Sequence, residues 1–356
     1  MSYEDNVRKV VPYTPGEQPQ RKVIKLNTNE CPYTPSPKVA EALKAMDISD
    51  LRKYPDPLCS GLVSSIAEYY GLKDENVFVG VGSDDVLSMC FLTFFNGKDS
   101  ILFPDITYSF YDVWAEVYDI PYKTIPLRED FSIDPADYRQ KNGGIVIANP
   151  NAPTGREEKL SVIEEIISSN PDVMVIVDEA YVDFGSETAL PLLDKYENMI
   201  IVRTMSKSRA LAGIRIGYAF GSRKAIKYLN DVKFSVNSYT MNTPSLLVGR
   251  AAMEDVGYFK ETLEKVINTR ERVKNELKDL GFFFADSKTN FIFAGHEGVL
   301  PGETQESFAA RVFESLKQRD IFVRYFNKPR VNGYLRISIG TDDEMDELIR
   351  VLKELI

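Results

Sequence analysis

The spacing of apolar side chains changes rhythm twice along this chain. Residues 1–37 have no period: Pro12, Pro15, Pro19, Pro32, Pro35 and Pro37 interrupt every run. The segment reads as an extended arm with one short strand near Val23–Leu26. Lys38–Met46 has the spacing of a short helix, and Arg52-Lys53-Tyr54-Pro55-Asp56-Pro57 reads as an irregular loop. From about residue 61 an alternation sets in. An amphipathic segment, Leu62–Tyr70, precedes a strand over Asn76–Val81. Gly82 leads into a helix over Ser83–Phe95, then come a strand at Ser100–Phe103 and a helix around Tyr108–Tyr118. Gly144–Ala148 and Val173–Val177 are short, continuous, β-branched runs, as strands buried on both faces of a parallel sheet are. Asn198–Arg203 and Ile214–Phe220 continue the series. Strands alternating with helices predict an α/β fold with right-handed crossovers.

After about residue 240 the texture changes. One long helical stretch, roughly Thr243–Leu280, is followed by strand-like Phe282–Ala285 and Phe291–Ala294. A helix (Glu303–Gln318), two strand-like pieces (Ile321–Tyr325 and Tyr334–Ser338) and a final helix from Asp342 complete the chain. This is the pattern of a smaller α/β unit, against which the proline-rich arm can pack. A chain of 356 residues exceeds what one core usually organises, so two domains are expected. The expected division is 1–45 as arm and part of the small domain, 46–240 as the large domain, and 241–356 as the small C-terminal domain.

Composition then narrows the chemistry. There are 53 acidic against 43 basic side chains, a net charge of −10, which disfavours a nucleic-acid or anionic-membrane binder. Cys31, Cys59 and Cys90 cannot all pair, and none lies in a C-x-x-C, so a cysteine zinc site is not expected and a reducing cytoplasm is. The single histidine, His296, sits in Gly295-His296-Glu297-Gly298 and reads as a loop residue. A three-histidine metal site is impossible, and no metal is expected. The proton carrier of any enzyme built here is therefore a lysine, a carboxylate or a tyrosine. The N-terminus has no secretory pattern, and no apolar run reaches the roughly 18 residues of a membrane span.

Ligands of open α/β sheets sit at the carboxyl ends of the strands. Asn149-Pro150-Asn151-Ala152-Pro153-Thr154-Gly155 follows one strand, and Asp178-Glu179-Ala180-Tyr181 follows the next. Thr204-Met205-Ser206-Lys207-Ser208 follows a third, with Gly213-Ile214-Arg215 beyond it. Asp178 caps five apolar residues and needs a cationic or hydrogen-bonding partner. A lysine near a second cation in a dry cleft becomes a usable amine nucleophile and base, which suits Lys207 near Arg215. The Gly82-Ser83-Asp84 junction offers free N–H groups and a helix dipole to a phosphate. Singly, each of these has an ordinary reading: a capping aspartate, a solvated Ser-Lys-Ser loop, a tight turn. No G-x-G-x-x-G follows the first strand, so a dinucleotide-binding reading fails.

In this order and spacing the motifs resemble those of the fold-type I pyridoxal-phosphate aminotransferases, over nearly the whole chain. Within that superfamily the match is to the histidinol-phosphate aminotransferase family. It is carried by Val11-Pro12-Tyr13-Thr14-Pro15-Gly16, Leu26-Asn27-Thr28-Asn29-Glu30-Cys31-Pro32, Arg52-Lys53-Tyr54-Pro55 and the segments quoted above. Tyr334-Leu335-Arg336-Ile337-Ser338 adds to it. The resemblance implies a mostly parallel seven-stranded sheet flanked by helices, a smaller α/β domain, pyridoxal 5'-phosphate as cofactor and a homodimer. It implies Lys207 as the amine that joins the cofactor aldehyde and shuttles the proton, Asp178 as partner of the ring nitrogen, Tyr181 on the ring hydroxyl and Tyr108 stacked on the ring. Ser83, Asp84, Thr204, Ser206 and Arg215 would hold the cofactor phosphate, with Tyr54 reaching that of the neighbouring subunit. Arg336 would grip the substrate's anionic end, and Tyr13, Asn29 and Arg324 a substrate phosphate. The family places asparagine immediately before Pro-Thr-Gly; here that residue is Ala152, so either Asn151 substitutes or Tyr181 acts alone. One hydrogen bond lost there costs on the order of 1 kcal/mol. The implied reaction moves an amino group between L-histidinol phosphate and 2-oxoglutarate in histidine biosynthesis. The alternatives are an aromatic amino-acid aminotransferase, a threonine-phosphate-decarboxylase-like enzyme, or a non-catalytic protein that only holds the cofactor.

Overall fold

The computed structural model describes residues 2–356. In chain order its strands are β1 (Ile24–Leu26), β2 (Val77–Gly80), β3 (Ile101–Pro104), β4 (Tyr122–Ile125), β5 (Ile145–Ala148), β6 (Val175–Asp178), β7 (Met199–Thr204), β8 (Gly217–Gly221), β9 (Phe291–Gly295), β10 (Ile321–Tyr325) and β11 (Tyr334–Ser338). The helices are α1 (Pro37–Ala45), α2 (Ser60–Tyr70), α3 (Ser83–Phe94), α4 (Tyr111–Val117), α5 (Leu160–Ser168), α6 (Arg223–Val236), α7 (Thr243–Glu254), α8 (Val256–Asp279), α9 (Gln305–Gln318) and α10 (Asp342–Leu355).

Seven strands form one sheet in the order β2-β8-β7-β6-β5-β3-β4, parallel except for β8, which runs against both neighbours. The β-branched runs are its centre, and every residue of β5, β6 and β7 is buried. Alternation along β6 shows why two apolar faces are needed. Val175 and Val177 join the core under α2, α5 and α7, while Ile176 joins the core under α3, α4 and α6. A period of two puts Asp178 on the Ile176 side, toward α4. A second sheet, β1-β10-β11-β9, takes its edge from the arm: Ile24 to Leu26 pair in parallel with Ile321 to Val323. Helices α8, α9 and α10 cover it.

Three differences from the sequence expectation have local causes. The stretch Thr243–Leu280 is two helices, because Asp255 leaves the helical path and its carboxylate accepts the Ser36 hydroxyl from the arm. Phe282–Ala285 is not a strand; Phe283 alone pairs with Gly295, through two backbone bonds of 2.9 Å. Strand β4 carried no apolar signal, since three of its four residues face solvent at the sheet edge.

Candidate active site

The carboxyl ends of β5, β6 and β7 open into one cleft. Its lining includes Ser83, Asp84, Tyr108, Asp178, Tyr181, Ser206, Lys207 and Arg215, eight of the residues singled out by sequence. A concave site with this mixed polar and apolar lining suits a small molecule.

Asp178 forms the floor and is 5% exposed. Its Oδ2 accepts the Tyr111 hydroxyl at 2.8 Å and its Oδ1 accepts the Ala180 N–H at 3.1 Å. Burial dominates over both bonds and pushes its carboxyl up to about 6. Tyr111 is wholly buried, and burial beside the Asp178 charge holds its hydroxyl well above the usual range. It therefore stays protonated and donates to the carboxylate. Sequence reasoning missed this residue; the signal was its place three residues after Tyr108, one helical turn on.

Lys207 is half-buried on the wall. Its Nζ donates to the Thr28 carbonyl at 3.3 Å and lies 5.8 Å from the centre of the Tyr181 ring. The Tyr181 hydroxyl accepts from Asn29 Nδ2 at 2.9 Å. Asn29 is 1% exposed and holds a left-handed backbone, φ 57°, with its N–H and side-chain oxygen both bonded to Ser338 Oγ. The arm, the large sheet and the small sheet thus meet at Tyr181.

The opposite end of the cleft is built for an anion. Helix α3 begins at Ser83, after Gly82 at φ 87°. That positive φ is a backbone glycine adopts without strain, and a side chain at 82 would also have to displace the Arg215 guanidinium. Arg215 itself holds φ 61°, an uncommon backbone for a non-glycine residue and one associated with functional sites. Its guanidinium reaches Ser206 Oγ at 3.4 Å and Asp84 Oδ2 at 3.2 Å. Tyr108 donates to Asp84 Oδ1 at 2.8 Å.

At the rim, β10 and β11 place Arg324 directly across from Arg336. Like charges in opposed positions are destabilising. Neither arginine forms an ion pair with a carboxylate among the described residues. Arg336 donates to the Asn27 carbonyl at 2.8 Å, while its Nε is sealed from solvent with no partner. Burial, with Arg324 nearby, holds its guanidinium below the usual value. Tyr13 stacks on Phe110 at 4.3 Å.

Seven expected residues are not part of the cleft lining: Tyr13, Asn29, Arg324 and Arg336, described above, and Asn151, Thr204 and Tyr54. Asn151 spends its amide on the Ile106 carbonyl and Thr154, and accepts Thr107 Oγ1 at 2.8 Å; Ala152 takes the lining position instead. Thr204 turns back to the Ile216 carbonyl. Tyr54 is 81% exposed on the outer surface, stacked on Tyr239. Histidine 296 is buried, not in a solvated loop: Nε2 pairs with the Leu280 carbonyl and its ring stacks on Phe308. Among the described residues there is no cluster of metal-ligating side chains, and no helix is long and apolar enough to cross a membrane.

Comparison with known proteins gives consistent matches. The profile of the family described as aminotransferase class I and II matches residues 21–352. A histidinol-phosphate aminotransferase of Lactococcus lactis subsp. cremoris is 50% identical over 357 residues, covering 100% of this chain and 98% of that protein. One of Brachyspira hyodysenteriae is 49% identical over 354 residues, covering 99% and 98%. Among solved structures, the histidinol-phosphate aminotransferase of Sinorhizobium meliloti in complex with pyridoxal-5'-phosphate superposes with a TM-score of 0.83 at 25% identity, covering 97% of this chain and 96% of that one.

Proposed function

The chain belongs to the histidinol-phosphate aminotransferases within the class I and II aminotransferases, and from that premise we propose that it moves the amino group between L-histidinol phosphate and 2-oxoglutarate in histidine biosynthesis. It is a pyridoxal-phosphate-dependent transaminase. The observation that carries the substrate is Arg324 facing Arg336 with no carboxylate for either, beside a cleft that holds a half-buried lysine. Each substrate brings the missing anion: a phosphate in one half-reaction, carboxylates in the other. Arginine's planar fork suits both.

The donor set fits the cofactor. The first N–H groups of α3, the Ser206 hydroxyl and the Arg215 guanidinium form a phosphate cradle at the positive end of a helix dipole. Tyr108 supplies a flat wall, and Asp178 a buried carboxyl whose remaining lone pairs call for a cation. When bound, pyridoxal 5'-phosphate supplies an aldehyde that holds amines covalently and a ring that takes up the electron pair released at Cα. Lys207 then serves as the amine that yields to the substrate and as the base that moves the Cα proton. Asp178 keeps a negative charge under the ring nitrogen. Tyr181, held by Asn29, donates its hydroxyl toward the ring oxygen, a position where Asn151 gives no help. Tyr13 and Arg324 complete the phosphate end, where Asn29, spent on Tyr181 and Ser338, takes no direct part, and Arg336 holds the carboxylate or phosphate.

A second copy completes the assembly in this reading. The segment 48–58 exposes Ile48, Leu51, Tyr54 and Leu58, each by more than half, which supports a homodimer in which Tyr54 serves the neighbouring site. We place the protein in the cytoplasm, where its three free cysteines stay reduced. Two domains are supported by the two separate sheets and by the arm strand β1 joining the smaller one; α7, beyond residue 240, packs in the core of the larger sheet and not with the small domain.

The test mixes purified holoenzyme with histidinol phosphate, glutamate and phenylalanine in turn and follows the visible absorbance of the bound cofactor. Histidinol phosphate and glutamate convert it; phenylalanine reacting much faster than histidinol phosphate would overturn the assignment.

A further inference from the structure

The substrate's phosphate and amine have partners above, but its imidazole does not. An imidazole presents a ring N–H, and a neutral ring buried in a cleft needs an acceptor for it. Three carboxylates line the cleft: Glu30, Asp84 and Asp178. Two are committed. Asp178 lies on the floor with a bond to each oxygen, and Asp84 receives Tyr108 on one oxygen and Arg215 on the other. Glu30 differs. Its Oε2 accepts from Lys25 and from Thr28 Oγ1 at 2.6 Å, while no hydrogen bond reaches Oε1 among the described residues. The anchored half fixes the side chain; the other half is free, on the wall that also carries Lys207 through the Thr28 carbonyl. Burial opposes its ionisation, yet the bonds from Lys25 and Thr28 hold its carboxyl below the ordinary value, so it is an acceptor throughout the working range.

We infer that Glu30 is the imidazole-recognising residue, its free Oε1 accepting the substrate's ring N–H. The inference rests on the histidinol-phosphate reading and adds the subsite that separates this substrate from other phosphorylated amines. The Lys25 ammonium on Oε2 has a consequence for the other half-reaction. It offsets the Glu30 charge, so the side-chain carboxylate of glutamate can enter the same cleft without facing an uncompensated anion. Site and substrate thus match by a hydrogen bond that glutamate does not need.

The experiment is a cycle over protein and substrate. Holoenzymes of wild type and Glu30→Ala are reacted in single turnover with histidinol phosphate and with phenylalaninol phosphate, which has the same phosphate and amine but no ring N–H. Wild type prefers histidinol phosphate, and the ratio of the two kcat/KM values falls about 10- to 100-fold in the variant, the weight of a charge-assisted hydrogen bond. Glu30→Gln, which keeps the volume, is read the same way where the alanine variant does not fold, and its ratio falls in the same direction. A purely structural role through Lys25 or Thr28 slows both substrates together and leaves the ratio unchanged; that result overturns the inference. A wild-type enzyme inert toward histidinol phosphate but active on phenylalanine overturns the parent reading and this one with it.

Discussion

Asp178 is buried without a cation, at a cost that can be measured without the cofactor. In the folded apoprotein burial pushes its carboxyl up to about 6, against 3.8 for an ordinary aspartate. Between those two values the native state binds more protons than the unfolded chain, so stability falls as pH rises through that window. The difference of about 2.2 units, at roughly 1.4 kcal/mol per unit, amounts to about 3 kcal/mol at neutral pH. Asp178→Asn removes the charge and keeps the shape. Its Oδ1 can accept the Ala180 N–H, and its amide can donate to the Tyr111 oxygen, which turns its own hydrogen away. The cofactor-free Asn variant should therefore be more stable than wild type by up to about 3 kcal/mol at pH 8, with the gap closing below pH 4. Turnover of the loaded variant should fall steeply. Urea unfolding of both apoproteins at pH 4, 6 and 8 reads the gap. A variant less stable than wild type at pH 8, or a gap independent of pH, refutes the argument that burial sets the Asp178 charge.

Other outcomes follow from the same geometry. Lys207→Ala should hold cofactor yet show almost no turnover, and wild-type transamination rates in that variant would remove the lysine from its assigned role. Arg203 and Glu179 form an ion pair at 2.7 Å with side-chain exposures of 4% and 1%; Arg203→Met should cost about 3–5 kcal/mol in urea unfolding because it strands a buried carboxylate. Adding Glu179→Leu should recover much of that loss. Arg336→Lys keeps the charge but loses the fork, so KM for glutamate should rise more than kcat falls in steady-state kinetics. Ala152→Asn should change single-turnover rates far less than Asp178→Ala does.

How far the sequence could be read depended on where the information sat. The central strands were legible because burial on both faces forces continuous β-branched runs such as Val175-Ile176-Val177. Lys207 and Asp178 were legible because each follows or ends such a strand, where the ligand end of the sheet must be, and Arg215 because it precedes the antiparallel β8, which starts at that same end. Edge strand β4 was not, since its solvent-facing Lys123 and Thr124 carry no apolar signal. The break at Asp255 was hidden because its partner, Ser36, is 219 residues away. Tyr111 and Asn151 were misjudged for a related reason. Residue type says that a side chain can make hydrogen bonds, and only the fold says with what: Asn151 is used up bracing its own loop, while Tyr111 is turned to Asp178.

The features that break local rules converge on this one cleft. Arg215 and Asn29 hold left-handed backbones, Arg324 faces Arg336, Asp178 is buried without a cation, and Arg336 Nε has no partner. Each is unfavourable alone, and the remainder of the chain, with its capped helices and filled cores, supplies the stability that permits them. Their signs are not random. The unmatched groups are cationic where an anion must come, at Arg324 and Arg336, and anionic where a cation must come, at Asp178. A chain of net charge −10 that leaves two arginines facing each other without a carboxylate has kept a vacancy for negative charge that its own abundant acidic residues do not fill. Filling that vacancy from within would relieve the repulsion and close the site. An acidic residue introduced beside the pair, as in Tyr13→Glu, should therefore stabilise the protein while raising KM for both anionic substrates. A variant that raised KM with no gain in unfolding midpoint would show that the repulsion between the two arginines is already screened by solvent.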